Sequence, residues 1–279
     1  MTLLMGAVAY DPKVVTIWAG FRAWLARQGL PFDFVLYSHY ERQVEDLVAG
    51  RIHAAWNSPL AWVRAQRLTA GRDDPVYPLV MRDTDRDLRS VVVVRADSGI
   101  DQVSGLKGRL VGVGAADSPQ ATLLPLHDLR RQGAEFDVRL FQVGVGLHGD
   151  HVGGERDAAR ALLAGEVAAA CMLDANHLLF GQEGTLPAGS TRILHLTDPY
   201  DHCNMTIAGT APREPVQEFG RLLTGMSYAD PEVRPLLDLE GLTAWLPGRT
   251  TGYAALESAV DAASFYDPAG RITAADYRP

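Results

Sequence analysis

Cysteine is nearly missing from these 279 residues: there are two, Cys171 and Cys203. Two cysteines form one bridge at most and no zinc-type Cys-x-x-Cys pair is present, so a disulfide framework is excluded. Excess positive charge is lacking as well. Lys and Arg number 26 against 34 Asp and Glu, a formal net charge of −8 that offers no overall attraction to phosphate backbones or anionic membranes. Nucleic acid is therefore not expected as a partner. No uncharged apolar run approaches the roughly twenty residues that cross a bilayer, so no membrane insertion is expected either. The opening MTLLMGAVAYDPK has no basic n-region, no apolar h-region and no cleavage site. As written, the chain is expected to stay in the cytoplasm; a trimmed mature form would instead be periplasmic or lipid-anchored. Solenoid-period repeats and low-complexity segments are absent too.

What is present is a 47% hydrophobic chain, long enough for two lobes of ordinary size. Leu3 to Ala9 reads as a strand, and Val14, Ile17, Trp18, Phe21 and Leu25 recur at helical spacing after it. FDFVLYS is a second strand, YERQVEDLVAG a helix and Ile52 to Trp56 a third strand; Ser58 or Asn57 then caps a helix with Pro59 in its first turn. Such alternation predicts an α/β fold whose parallel sheets are covered on both faces. After the polar DTDRDL, the β-branched RSVVVVRADS reads as a crossover into a second lobe with the same alternation, including helices over Pro119–Gln132 and Arg156–Ala164. RILHLTDPYDHCNMTIAGT brings the chain back. The expected division is residues 1–88 and 197–279 for a discontinuous first lobe and 89–196 for the second, with hinges near 85–90 and 195–200. A cleft between such lobes is where a small molecule sits.

Two junctions look built for an anion. In VGVGAADSPQATLLPLHDLRRQG a strand passes through small residues into a helix start, where the N–H groups of Ser118, Gln120, Ala121 and Thr122 and the Ser118 hydroxyl could converge on an oxyanion. The plainer reading is a capped helix with Pro119 at its first position. WNSPLAW repeats the arrangement with Asn57 and Ser58, and Tyr10 ends the first strand on the same carboxyl edge. Asp174, after AAACML, either contacts a ligand's amine or caps the following helix.

A second cluster is rich in histidine. LHGDHVGGE places His148, Asp150, His151 and Glu155 in a glycine-rich loop, and YDHCN adds Asp201, His202 and Cys203. Of these, His148, His151, Glu155 and His202 are candidate ligands for a divalent Fe, Zn or Cu. His151, His202 and Cys203 are the candidate catalytic groups of an alternative, a cytoplasmic enzyme on the same fold. Side chains adjacent on a strand point to opposite faces, which argues against direct pairing of Cys203 with His202.

The blocks YERQVEDLVAGRIHAAWNSPLAWVRAQ, ADSGIDQVSGLKGRLVGVGAADSPQATLLPLHDLRRQG and HVGGERDAARALLAGEVAAACM occur in an order and spacing similar to the phosphonate/phosphate-type substrate-binding proteins of ABC transporters. The resemblance implies a two-lobed fold of the type II periplasmic-binding-protein class, with two crossover strands. It implies a small, anionic, phosphonate-, phosphate- or carboxylate-like ligand, and an ABC permease as partner if the protein is exported. By position it makes Tyr10, Asn57, Ser58, Ser118, Gln120, Ala121, Thr122 and His151 ligand-binding. The chain departs from the pattern where relatives commonly carry Asp: His53 stands in GRIHAAW and Ala168 in GEVAAAC. SPQAT is also poorer in hydroxyls than the family's serine-rich loop.

Overall fold

In the computed structural model, which describes residues 1–142, 151–275 and 277, β1 (Leu3–Val8) sends Leu3, Met5 and Ala7 into one hydrophobic core and Leu4 and Val8 into another. That is the two-residue period of a strand buried on both faces. It lies between β2 (Phe32–Tyr37) and β3 (Ala54–Asn57), parallel to both. Over one face packs α1 (Lys13–Arg27), burying Val14, Ile17, Trp18, Phe21, Trp24 and Leu25. Over the other lie α2 (Tyr40–Val48) and α3 (Pro59–Thr69), the latter capped by Ser58 with Pro59 at its start, as the sequence predicts. His53, just before β3, accepts the Leu4 N–H through Nδ1 at 2.9 Å.

After β4 (Tyr77–Arg82) the chain leaves for a second sheet made of β5 (Ser90–Arg95), β6 (Leu110–Val113), β7 (Asp137–Leu140), β8 (Ala169–Leu173) and β9 (Thr191–Leu196), with α4 (Leu124–Arg131), α5 (His151–Leu163) and α6 (Asp174–Gln182). It returns as β10 (Asn204–Ile207), α7 (Arg213–Thr224), α8 (Arg234–Glu240), β11 (Trp245–Pro247) and α9 (Ala254–Ala262). The strand orders are β11-β4-β10-β3-β1-β2 and β7-β6-β8-β5-β9. The expectation of parallel sheets needs correction: β10 is antiparallel to β3 and β4, and β5 is antiparallel to β8 and β9. These are the strands that follow a crossing, so each enters its sheet from the opposite side.

The two crossings are themselves paired. Leu88 and Tyr200 exchange both backbone hydrogen bonds at 2.9 Å, and Ser90 Oγ meets the Tyr200 hydroxyl at 2.9 Å. Beside them, the fully buried Asp201 accepts two hydrogen bonds from Arg249, each 2.6 Å, and Arg249 also reaches Asp87 at 2.7 Å.

Two helix starts differ from expectation for physical reasons. The helix expected from Pro119 opens with a π turn over Pro119–Leu123 before α4. Pro125 has no N–H to give the Ala121 carbonyl, which accepts from Gly114 N instead at 3.3 Å, while Leu123 N reaches back to Ser118 O at 3.1 Å. Likewise α5 includes His151 and Glu155, which glycine content assigns to a loop. Gly154 is a packing residue there, because a Cβ on it would collide with the Phe141 carbonyl oxygen.

Candidate functional site

Sheet direction assembles the site. β1, β3 and β4 all end at one edge of the first sheet and β10 begins there, so Tyr10, Ser58, Arg82 and Cys203 arrive together around a cavity of about 390 Å³. From the second sheet come Asp117 and Gln120, in the loop and turn after β6, and His151 and Val152 at the start of α5. Glu41 of α2 and the C-terminal Tyr266 and Tyr277 complete a wall that also contains Trp56.

Of the residues marked for ligand binding, Tyr10, Ser58, Gln120 and His151 line this cavity. Asn57, Ser118, Ala121, Thr122 and Asp174 are not among its lining residues. Asn57 is fully buried in a polar chain, accepting from Gln43 Nε2 at 2.9 Å and donating to Thr206 Oγ1 at 2.9 Å. Both serines cap helices: Ser58 Oγ accepts from Ala61 N at 3.3 Å and Ser118 Oγ from Ala121 N at 3.1 Å. Ser118 N and Thr122 N donate to Ala115 O and Ser118 O, and Thr122 Oγ1 donates to Ala115 O. The donors that would seat an oxyanion at this loop are thus largely spent on the loop itself. Asp174 is the first residue of α6 and accepts from the next residue, Ala175 N, at 2.7 Å, while the cap position, Leu173, offers no side-chain bond. Asp117 pairs with His151 Nε2 at 3.2 Å.

Among the lining residues that sequence reasoning missed, Lys13 and Glu41 included, Arg82 holds the most partners. Its guanidinium lies 5.3 Å from the Trp56 ring centroid, grips Asp85 through Nε at 2.5 Å and Nη2 at 2.9 Å, and donates from Nη1 to the Glu240 carbonyl at 2.8 Å. VYPLVMRDTDRD reads as strand then polar linker, yet the carboxyl-edge rule that selected Tyr10 applies equally to Arg82, the last residue of β4. Despite burial, Arg82 and His202 hold the Asp85 carboxyl down at about 2. Glu240, 3.5 Å from Arg82 Nη1, is pushed up by burial to about 7.

Because the folded state favours protonated Glu240, its contribution to stability is complete below the ordinary value of 4.5 and is lost as the pH rises through about 7. That shift corresponds to about 3 kcal/mol. In urea titrations the wild type is expected to weaken steadily across this range, and Glu240→Gln to hold a flatter profile. Parallel profiles for the two proteins would contradict the assignment.

Among the described residues, His151, Glu155 and His202 do not form a metal-capable group. His148, like Asp150, lies outside the described residues; Glu155 is fully buried inside α5, and His151 pairs with Asp117. Among the described residues, the metal-capable group is Asp85, His202 and Cys203, whose ligand atoms lie within 4.8 Å of one another. Asp85 in that group already accepts from Arg82 through both carboxylate oxygens. The expected separation of Cys203 from His202 also needs correction: Sγ and Nδ1 are 3.1 Å apart. These residues precede β10, so strand alternation does not govern them. Burial and Asp85 push the Cys203 thiol up, which leaves it a poor nucleophile.

A family model described as "ABC transporter, phosphonate, periplasmic substrate-binding protein" matches residues 6–253. No curated protein matches the chain. Solved structures similar to it include PhnD1 from Prochlorococcus marinus in complex with methylphosphonate, at 15% identity and a TM-score of 0.68, over 94% of this chain and 97% of that one. XAC2383 from Xanthomonas citri bound to ATP is 18% identical, with a TM-score of 0.67 over 93% and 96% of the two chains. The aliphatic sulphonate binding protein SsuA from Escherichia coli is 20% identical, with a TM-score of 0.55 over 92% and 90%. The fold is that of type II periplasmic binding proteins.

Proposed function

The chain belongs to the phosphonate type of periplasmic substrate-binding proteins of ABC transporters, and from that membership we propose that it closes on a small organic anion of the phosphonate or sulfonate class and delivers it to a permease. The observation that carries this reading is the placement of Arg82, a half-buried guanidinium in the wall of a cavity lined from both sheets. Residues 1–88 and 197–279 form one lobe and 89–196 the other, and the paired crossings at Leu88 and Tyr200 form the hinge. Lys13, also at the cavity, adds a second cation, and Tyr10 and His151 approach from opposite sheets to close over the ligand. Delivery to a permease is work done outside the cytoplasm, and the family description places its members in the periplasm.

Isothermal titration with methylphosphonate, ethylphosphonate, ethanesulfonate and inorganic phosphate is expected to show saturable one-to-one binding of at least one of them. X-ray scattering of the same sample is expected to show a smaller radius of gyration on saturation. If none of the four binds, the oxyanion reading is wrong.

A further inference from the structure

Beside the cavity two carboxylates share the Arg82 guanidinium on unequal terms. Asp85 takes its Nε and Nη2. Glu240, the last residue of α8, is 6% exposed, and among the described residues its carboxylate has no hydrogen bond, only the 3.5 Å approach of Arg82 Nη1. That prong is already given to the Glu240 backbone carbonyl. A carboxylate to which nothing donates, in a place nearly closed to water, is poorly satisfied as an anion.

The charged groups around Glu240 nearly balance. Burial favours its protonated form most strongly; Arg82 and Lys13, at the start of α1, oppose this, and Asp85 adds to it. Tyr10 just after β1, Tyr40 at the start of α2 and Cys203 just before β10 also feel its charge, and burial keeps all three protonated near neutrality. With Glu240 ionised, Arg82 and Lys13 are therefore already matched by Asp85 and Glu240, and an arriving oxyanion meets no surplus cation. With Glu240 protonated, one positive charge is left over for it. Linkage makes the effect mutual: if protonated Glu240 makes the better host, the bound anion in turn favours protonation of Glu240.

We propose that Glu240 couples anion capture to proton uptake: its carboxylate takes a proton from solvent as the oxyanion settles against Arg82, so the cleft holds its ligand more tightly in mild acid than in mild base. This inference rests on the reading of the cleft as an oxyanion receptor and adds to it a control by pH.

Calorimetric titration of the wild type and Glu240→Gln with methylphosphonate, ethylphosphonate, ethanesulfonate and inorganic phosphate, at about pH 5.5 and about pH 8.5, tests it. Charge changes on the ligand, His151 or His202 are common to both proteins and cancel in the ratio of their affinities. At the acid end that ratio is expected to be close to one. At the alkaline end the wild type is expected to bind about tenfold or more weakly than the variant, which is the size of a like-charge interaction across a partly buried site. Near neutrality, titration in two buffers of different ionisation enthalpy is expected to show the wild type taking up more protons per ligand than the variant, a readout that packing at Glu240 alone would not move. Should Glu240→Gln fail to fold, Glu240→Met, uncharged and of similar length, carries the same comparison. A ratio that stays the same across the pH range, or equal proton uptake, would overturn the coupling and leave the oxyanion reading standing. Binding of none of the four would overturn both.

Discussion

Replacing Arg82 with Gln is expected to weaken oxyanion binding at least about a hundredfold and to destabilise the fold by about 3–5 kcal/mol, the range for breaking a buried ion pair by removing one partner. The size of the effect follows from what the guanidinium holds. Asp85 is 1% exposed and would keep only the Cys203 N–H at 3.3 Å and His202 Nδ1 at 3.4 Å. Glu240 would lose the cation beside it. Arg82→Lys is expected to fall between, since an ammonium keeps the charge but cannot reproduce the two-pronged grip on Asp85. Ligand titration and urea unfolding of the three proteins measure the two effects separately. A Gln variant that binds and unfolds like the wild type would remove Arg82 from both roles.

The second large effect is expected at the crossings. Asp201→Ala should cost about 3 kcal/mol, because it strips Arg249 of two short hydrogen bonds and leaves a space shaped for a carboxylate. Gly252 belongs to the same arrangement, since a Cβ on it would strike that carboxylate. Arg249 retains Asp87 and is about one-third exposed, which places the cost at the lower end of the buried-pair range. Thermal unfolding checks the magnitude. A melting temperature shifted by less than about 2 °C would show that the pair contributes little, given the several degrees that such a loss implies.

Patterns of neighbouring residues made most of the fold legible. Three-to-four spacing in Val14 to Leu25 and the Ser58-Pro59 start are local properties, and the helices they predict are present. Strand direction was not legible, because β10 lies beside β3 and β4 only after an excursion of more than a hundred residues. The site divides along the same line. Tyr10, Ser58, Gln120 and His151 were marked by their own surroundings in sequence, whereas Arg82 and Glu41 acquire meaning from partners far along the chain, Glu240 and Tyr277. Serine shows the limit of motif reading most clearly, since a hydroxyl at a helix start serves its own helix before it serves a ligand.

The place of β10 also bears on synthesis. It fills the middle of the first sheet, between β3 and β4, yet it follows every strand of the second. A ribosome adding roughly 5–20 residues per second therefore leaves β3 and β4 without their shared neighbour for on the order of 10 s. During that interval the second sheet, contiguous from Ser90 to Leu196, can pair all its strands. The nascent chain is thus expected to order its inserted part first, while two unpaired strand edges wait for the ribosome to deliver four residues.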